Sequence, residues 1–467
     1  MARNNLIFLP LTELANRIKK RELSPVELTE AYFDRIDHIN DTFRIYITVT
    51  HDQARTAAHS AEEEIKRGKY RGPLHGIPYT CKDIFLTQNI RTTGGSRVLE
   101  DCIPGKDAAV IERLKVAGSI LLGKANLHEF CDGATGVNPH YGTVLNPWDT
   151  SRIAGGSSSG SAAAVSFGAA AAALGSDTGG SSRIPAALCG VVGFKPTSGR
   201  ISCYGLIPYS WSLDHVGLLT RTVADMALLL EAVSGYDPRD PASVNVAVPS
   251  YVRELSDNIQ GLRVGVPREY FDYVDQEIVD AVRGVLKFLE VLGAKIIEVE
   301  FPPMKHSRIV SHVIQLPEIL SYHSRYLPKK AHLYGADVRN SLTMGQFILA
   351  EHYLRAKRML VYYRRQLSDL FKSIDVIVTP TCPIVAPIIG TMKVTTKGKI
   401  EPVGSALARL TNLFNITANP ALSLPCGLHS SGLPMGVQLI GRCFDETTVL
   451  RVAHTLEIHL NWLPRHI

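Results

Sequence analysis

The chain has 467 residues, 45% of them hydrophobic and 20% charged, so it can bury a large core and does not have the composition of a disordered protein. Its formal net charge is +6, and the basic residues are spread without a long basic run, which argues against nucleic-acid binding. The longest apolar stretch, residues 162–174, is too short to span a membrane. We therefore expect a protein that binds neither nucleic acid nor a membrane.

The eight cysteines indicate a reducing compartment. None of them forms a C-x-x-C pair, and most lie among apolar residues. Free buried thiols are typical of proteins that are not secreted, whereas a structural zinc site would need paired ligands at short spacing. We expect a cytoplasmic protein without a bound metal.

The first 70 residues are predicted to be helical. Ser24 can cap a helix that begins at Pro25, and Glu27 completes a capping box. From about residue 74 short apolar runs alternate with amphipathic helices, and residues 74–230 contain the most unusual sequence. Strands are predicted at residues 119–123, 262–266, 295–299, 375–378 and 435–440.

A helix between two of these strands defines the expected fold class. Apolar residues from Ile278 to Leu292 recur at spacings of three and four, so one helix face is apolar and can cover a sheet. Strand, helix and strand in this order form the βαβ unit of a largely parallel sheet. Residues 302–370 are richer in His, Tyr, Arg and Lys and are predicted to be a helical excursion that lines a cleft. We expect one α/β domain over residues 1–467.

Two Gly-Gly-Ser clusters, which contain Ser157 and Ser181, flank an Ala-rich apolar run. A flexible linker would not enclose such an apolar segment. A phosphate-binding loop would need a Gly-Lys-Ser/Thr sequence, which is missing here. A nucleophile elbow at Ser158 would need a downstream histidine, for which His312 and His454 are candidates. Consecutive glycines can instead turn several backbone N–H groups towards one point and so stabilise an oxyanion beside a reactive serine.

The residues around these clusters resemble the amidase signature. The resemblance includes the lysine segment Gly76–Asp83 and covers almost the whole chain. It implies an α/β/α sandwich with a large mixed, mostly parallel twisted sheet covered by helices. The matching segments are residues 76–83, 126–130, 146–149, 154–162, 177–186, 193–197 and 436–441.

The resemblance also implies a mechanism without metal or cofactor. Ser181 would be the acylated nucleophile, Ser157 would relay its proton and Lys82 would be the general base, with a cis peptide bond at Ser157. Lys82 must then be neutral, which burial favours, and Asp83 must point away from it. The remaining implied roles are an oxyanion hole at Thr178, Gly179, Gly180 and Ser181, and structural support from Ser158, Asp177 and Arg183.

The substrate follows less directly from the resemblance. Phe130, Cys131 and Gly133 are expected to line the acyl side of the cleft. The predicted reaction is hydrolysis of a carboxylic amide, with esters, carbamates and urethanes as further substrates that the same chemistry could serve. We expect a small-molecule amide as the sole partner, apart from a homodimer, which the sequence leaves open.

The alternative is a glutaminase-type A subunit of an aminoacyl-tRNA amidotransferase. That relative resembles this chain and releases ammonia from glutamine for a partner protein. It holds the glutamine ammonium with an acidic residue just before a late Pro-rich strand. The corresponding residues 404–420 contain no Asp or Glu, which argues against this alternative.

Overall fold

The computed structural model describes residues 6–301 and 304–460. A large mixed sheet with flanking helices runs through these residues, and it confirms the expected fold class. Its strands are ordered β1-β3-β2-β4-β6-β5-β12-β13-β9-β7-β8, and β10 and β11 form a separate hairpin. The strands are β1 (Tyr46–Val49), β2 (Pro78–Lys82), β3 (Ile120–Ala125), β4 (Ala172–Ser176), β5 (Val192–Lys195), β6 (Val216–Thr220), β7 (Arg263–Pro267), β8 (Lys295–Val299), β9 (Val376–Pro380), β10 (Lys393–Thr396), β11 (Lys399–Pro402), β12 (Ala421–Leu428) and β13 (Pro434–Gly441).

Helices precede, follow and connect these strands. The amphipathic helix predicted before residue 293 is present, and Ile278, Val282, Val285 and Leu289 form its buried face. The helices are α1 (Leu11–Lys19), α2 (Pro25–Phe43), α3 (His51–Lys66), α4 (Ala109–Val116), α5 (Ser159–Ser166), α6 (Arg183–Cys189), α7 (Val223–Val233), α8 (Gln276–Val291), α9 (Met304–His323), α10 (Leu327–Lys330), α11 (Ala336–Gly345), α12 (Ala350–Leu370), α13 (Val403–Ala408), α14 (Leu413–Ile416) and α15 (Glu446–Leu460).

Parallel and antiparallel pairs occupy different parts of the sheet. β2 runs parallel to its neighbours β3 and β4, and β7 runs parallel to β8 and β9. Between these two blocks the pairs are antiparallel, from β4 and β6 through to β13 and β9. The parallel block around β2 matters for the site, because neighbouring parallel strands end at the same edge of a sheet.

The N-terminal region and the helical excursion differ from the prediction in detail. The N-terminal region holds helices α1, α2 and α3, but it also contains the strand β1, which pairs antiparallel with β3. This strand was missed because its four residues follow a long helix and carry no clear alternation. The predicted excursion at 302–370 contains α9 to α12, and its residues 302 and 303 lie outside the described residues. Taking residues 1–467 as one domain stays a prediction.

The Ala-rich run between the two Gly-Gly-Ser clusters is core. Every residue of α5 and of β4 is buried. Small side chains allow the helix to lie close to its neighbours, and Gly160 approaches the backbone of Asn126 so closely that an added Cβ would lie 2.6 Å from its nitrogen. A flexible linker is therefore excluded for this segment.

Among residues 6–301 and 304–460, no helix combines the length and the apolar character that a membrane crossing requires.

The N-terminus of α2 provides a stability test. Ser24 Oγ accepts hydrogen bonds from the N–H groups of Val26 and Glu27, at 3.0 and 3.3 Å, as the capping pattern predicts. Ser24→Ala should lower the free energy of unfolding by about 1 kcal/mol, because these groups lose their cap and Glu62 loses the hydrogen bond that the Ser24 hydroxyl donates to it. Ser60→Ala, at an exposed position inside α3, is the control and should change it by less than about 0.5 kcal/mol. Urea denaturation checks both, and equal effects would contradict the cap.

Candidate active site

The site begins where two parallel strands end. Lys82 is the last residue of β2 and Ser176 is the last residue of β4. The Lys82 Nζ atom lies 2.8 Å from Ser176 Oγ and 2.7 Å from Ser157 Oγ. The contact that the predicted triad requires between Lys82 and Ser157 is therefore present. Ser176 also contacts the lysine, a role that no motif in the sequence indicates.

The surroundings of Lys82 favour its neutral form. The side chain is fully buried, and this burial lowers its pKa below the usual 10.5, while Cys131, Asp177 and Asp214 oppose the shift. Asp83 does not pair with it. The Asp83 carboxylate accepts hydrogen bonds from Thr93 and lies 3.7 Å from Lys124, on the other side of the strand, as the alternation of strand side chains predicts.

Ser157 lies at the turn before α5. The peptide bond between Gly156 and Ser157 is cis, as the family resemblance implies. A side chain at residue 156 could not be accommodated, because its Cβ would lie 2.5 Å from the backbone nitrogen of Gly136. The Ser157 carbonyl accepts a hydrogen bond from the His128 N–H at 3.1 Å. The turn therefore holds the Ser157 hydroxyl against the lysine.

Ser181 lies at the wall of a cavity of about 310 Å³. It is 9% exposed, whereas Lys82 and Ser157 are completely buried. Its carbonyl accepts a hydrogen bond from the Ser158 N–H at 3.1 Å. In the part of the chain that the structure describes, Ser181 Oγ has no hydrogen-bond partner. A substrate in the cavity would therefore meet this hydroxyl first.

In the glycine loop before Ser181, one predicted oxyanion donor is already occupied. The Gly180 N–H donates to Asp177 Oδ1 at 2.9 Å, so the prediction for this position needs correction. The loop is fixed from the other side by Thr411, whose hydroxyl donates to the Gly179 carbonyl at 2.6 Å. The N–H groups of Thr178, Gly179 and Ser181 make no hydrogen bond to any described residue. An oxyanion hole at this loop would use these three.

A buried ion pair lies behind the loop. Arg183 Nε and Nη2 donate to the two carboxylate oxygens of Asp177 at 3.0 and 2.8 Å, and both side chains are inaccessible to solvent. Burial alone would raise the pKa of Asp177, but Arg183, Lys195 and Asn415 hold it well below its usual range. The Asp177 carboxylate also accepts from the N–H of Ser182. The pair thereby orients the backbone on both sides of Ser181.

The hydroxyl of Ser158 forms its hydrogen bonds to described residues with backbone groups. Its hydroxyl donates to the Ser176 carbonyl at 3.1 Å and accepts from the Ser176 N–H at 3.2 Å. Among the described residues no histidine bonds to it, so a nucleophile elbow at Ser158 lacks its base. His312, one of the histidines considered for that role, lines the cavity instead.

The three residues predicted to bind substrate occupy different positions. Cys131 and Gly133 line the cavity. Phe130 does not, and the prediction is wrong for this residue. Its ring is buried and packs against His323 and Tyr334, with centroid distances of 4.3 and 5.7 Å. The backbone has positive φ at Phe130 and Cys131, so the chain turns sharply here. This turn directs the Phe130 ring into the core behind the cavity wall.

Eight other polar side chains line the cavity, and none of them is among the predicted site residues. Four belong to α9, one to α13 and three to loops. On a helix, the residue spacing shows which side chains share a face but does not show what that face contacts. Burial raises the pKa of Asp132 to about 6 and lowers that of His312 to about 4. The eight residues are Asp132, Tyr209, Arg308, Ser311, His312, Gln315, Ser405 and Asn412.

The family of the chain is evident from its sequence as well as from this geometry. A sequence model of the Amidase family matches residues 27–450. The chain belongs to the amidase signature family. This membership agrees with the Gly/Ser segments and with the sheet that presents them.

Individual relatives are similar to this chain along nearly their whole length. The A-type subunit of glutamyl-tRNA(Gln) amidotransferase from Carboxydothermus hydrogenoformans is 39% identical, over 97% of each chain. The solved structure of the subunit with this name from Thermotoga maritima has a TM-score of 0.82 at 34% identity, covering 97% of this chain and 95% of that one. A chain from a vestigial protein complex, described as revealing the origins of an s-triazine catabolic enzyme, has a TM-score of 0.92 at 34% identity, covering 97% and 98%.

These relatives correct the expectation about partners. The sequence predicts a small-molecule amide as the sole partner, apart from an optional homodimer, and it predicts no binding of nucleic acid. That prediction is wrong, because the curated relatives are named as subunits of an amidotransferase for glutamyl-tRNA. The expectation rests on the small net charge of the chain and its even distribution. These properties describe the isolated chain and do not show whether it assembles into a complex that binds tRNA.

Removing one charge of the Asp177–Arg183 pair should destabilise the fold. Arg183→Met leaves a buried carboxylate without its cation and should cost about 3–5 kcal/mol of unfolding free energy. Because pairing lowers the pKa of Asp177, the stabilisation is complete above the ordinary carboxylate pKa and is lost as pH falls below that value towards the lowered pKa of the folded state. The gap between wild type and variant should therefore narrow in acid, as denaturation at two pH values would measure.

Two further variants control this test. Asp177→Asn combined with Arg183→Met removes both charges and should recover part of the loss. Arg268→Met, at a position 86% exposed in the side chain, should have almost no effect. A pH-independent gap would mean that the charge pair is not its origin.

Proposed function

We propose that the chain hydrolyses a carboxylic amide C–N bond through an acyl-enzyme on Ser181. The observation that carries this proposal is the buried Lys82 amine, with its lowered pKa, 2.7 Å from Ser157 Oγ and behind the cavity that Ser181 lines. Membership of the amidase signature family supports the reaction class.

The proton follows the order of these groups. Neutral Lys82 takes the proton of Ser157, which takes that of Ser181 as the Ser181 oxygen attacks the carbonyl carbon. The N–H groups of Thr178, Gly179 and Ser181 stabilise the resulting oxyanion. The proton returns through Ser157 to the leaving nitrogen when the C–N bond breaks. A water then attacks the ester by the same route and frees Ser181.

We further propose that the chain performs this reaction as the ammonia-releasing A-type subunit of an amidotransferase complex. The support is the 39% identity to a relative of that name over nearly the whole length of both chains. The eight cysteines are all free, which supports a cytoplasmic location for such a complex.

A second candidate is an amidase that acts on its own. It is favoured by residues 404–420, which contain no carboxylate to hold the ammonium of glutamine. Gly404, Ser405, Ala408 and Asn412, which are uncharged, form this part of the cavity wall. A glutaminase assay separates the two candidates.

The catalytic roles predict a pH profile. Activity requires deprotonated Lys82, so kcat/KM should rise with pH, with a midpoint below the ordinary lysine value of 10.5 because burial lowers this pKa. A profile that is flat from about pH 6 to about pH 10 would contradict a base that titrates in this window. Lys82→Ala should remove the limb along with the activity.

The nucleophile is tested by labelling and substitution. Ser181→Ala should reduce amide turnover by at least about a thousandfold, and a fluorophosphonate should label Ser181 in the wild type. Ser60→Ala, far from the cavity on the surface of α3, is the matched control and should retain full activity. Labelling of Ser158 in place of Ser181 would disprove the assignment.

The proposal of an amidotransferase role needs a reconstituted complex. The chain should replace the A-type subunit in a bacterial amidotransferase prepared without its own copy, so that glutamine and glutamyl-tRNA yield glutaminyl-tRNA. Ser181→Ala should abolish this transfer. Rapid hydrolysis of simple amides by the isolated chain, with no glutaminase activity in either preparation, would favour the second candidate.

A further inference from the structure

The helix α9 presents a polar face to the cavity that Ser181 lines. Arg308, Ser311, His312 and Gln315 recur at spacings of three and four, and all four line this cavity. Helical spacing thus brings a cation, a hydroxyl, an imidazole and an amide to one wall. The acylation chemistry at Ser181 uses none of them.

Arg308 is the unusual member of this face. Its side chain is partly buried, yet its guanidinium makes no hydrogen bond and no ion pair to any residue that the structure describes. Burial lowers the pKa of Arg308, and the carboxylate of Glu401 opposes this shift by its charge, without a hydrogen bond between the two side chains. Glu401 lies 3.2 Å from both Lys399 and Arg409. Glu401 therefore already serves two cations, and the neighbourhood of Arg308 has a surplus of positive charge.

The other groups do not neutralise this surplus. His312 is neutral at physiological pH, since its pKa is about 4, and it can donate or accept a hydrogen bond without adding charge. Gln315 Nε2 already donates to Ser311 Oγ at 2.9 Å. Asp132, the carboxylate among the cavity-lining residues, accepts a hydrogen bond from the Tyr209 hydroxyl at 2.8 Å, and it is not among the groups that shift the pKa of Arg308.

A partly buried cation that lines a cavity and has no protein partner is available to bind a ligand that supplies the counter-charge. The guanidinium has a planar array of donors that matches a carboxylate and can bind both of its oxygens. The cavity volume of about 310 Å³ is at the lower end of ligand pockets, so the ligand is small.

We propose that Arg308 binds a carboxylate of the substrate, so that the preferred substrates are short half-amides of dicarboxylic acids. The proposal rests on amide hydrolysis at Ser181 and identifies the substrate class of that site. The amide carbonyl would lie at Ser181 and the carboxylate at α9. A neutral amide of the same length would leave Arg308 without its counter-charge.

The test compares charged amides with neutral amides of equal length. Succinamate and glutaramate are paired with butyramide and valeramide, and kcat/KM is measured by ammonia release. The wild type should prefer the charged member of a pair by about 10- to 100-fold, the effect of one hydrogen bond to a charged group. Arg308→Gln should remove most of this preference, and Arg308→Lys should restore part of it.

Controls separate charge recognition from damage to the fold. Arg268→Gln removes the same charge from an exposed position that does not line the cavity and should retain the wild-type preference. An equal loss for charged and neutral amides in Arg308→Gln would mean a structural role and would overturn the proposal. A wild type without preference for either member of the pairs would also overturn it.

Binding distinguishes this inference from the proposed reaction. Calorimetry with Ser181→Ala should show tighter binding of succinamate or glutaramate than of the neutral amide, and Arg308→Gln in that background should abolish the difference. If this preference appears but the wild type hydrolyses no amide, the reaction fails and the carboxylate site stands. If amides are hydrolysed but no such preference exists, the carboxylate site fails and the reaction stands.

Discussion

The reaction proposed for this chain depends on keeping one lysine out of water. Lys82 ends a fully buried strand at the edge where a parallel neighbour, β4, also ends. Its amine therefore meets hydroxyl groups and, among the described residues, no carboxylate within hydrogen-bond distance. Burial disfavours the ammonium form, and the acidic residue next in sequence is turned towards Lys124. An amine with these surroundings can accept a proton from Ser157, which an exposed lysine at neutral pH does not do.

The glycine loop before Ser181 is held by a second buried interaction, in which both side chains are charged. Asp177 and Arg183 are both charged, both inaccessible, and joined by two hydrogen bonds. Buried ion pairs of this kind are weak sources of net stability but define a geometry, because each charge accepts few alternative partners. Here the pair takes up the Gly180 and Ser182 N–H groups on either side of Ser181. The N–H groups left over at Thr178, Gly179 and Ser181 are those that a substrate oxygen can use.

The residues that line the cavity allow a comparison between this chain and its relatives. The chain resembles the A-type subunit of glutamyl-tRNA(Gln) amidotransferase along nearly its whole length, yet the wall formed by α13 and the residues after it has no carboxylate. The charges that do line the cavity are Arg308 on α9 and Asp132 on a loop. The chain thus shares its fold with these relatives, and the charges on its cavity wall are the features that would select a substrate.

The sequence by itself determined five strands of the sheet, the covering helix α8, the glycine loops and the segments that carry Lys82, Ser157 and Ser181, because these features depend on local periodicity or on short motifs. Only the tertiary structure decided that Phe130 lies behind the wall, that Gly180 N–H is taken by Asp177, and that α9 turns Arg308 to the cavity. Such contacts join residues far apart in the chain or depend on the direction of a single backbone group. The spacing of residue types along the sequence predicts neither of these properties. Partner proteins are harder still to predict, because binding a partner depends on surface residues that make no contacts within the single chain.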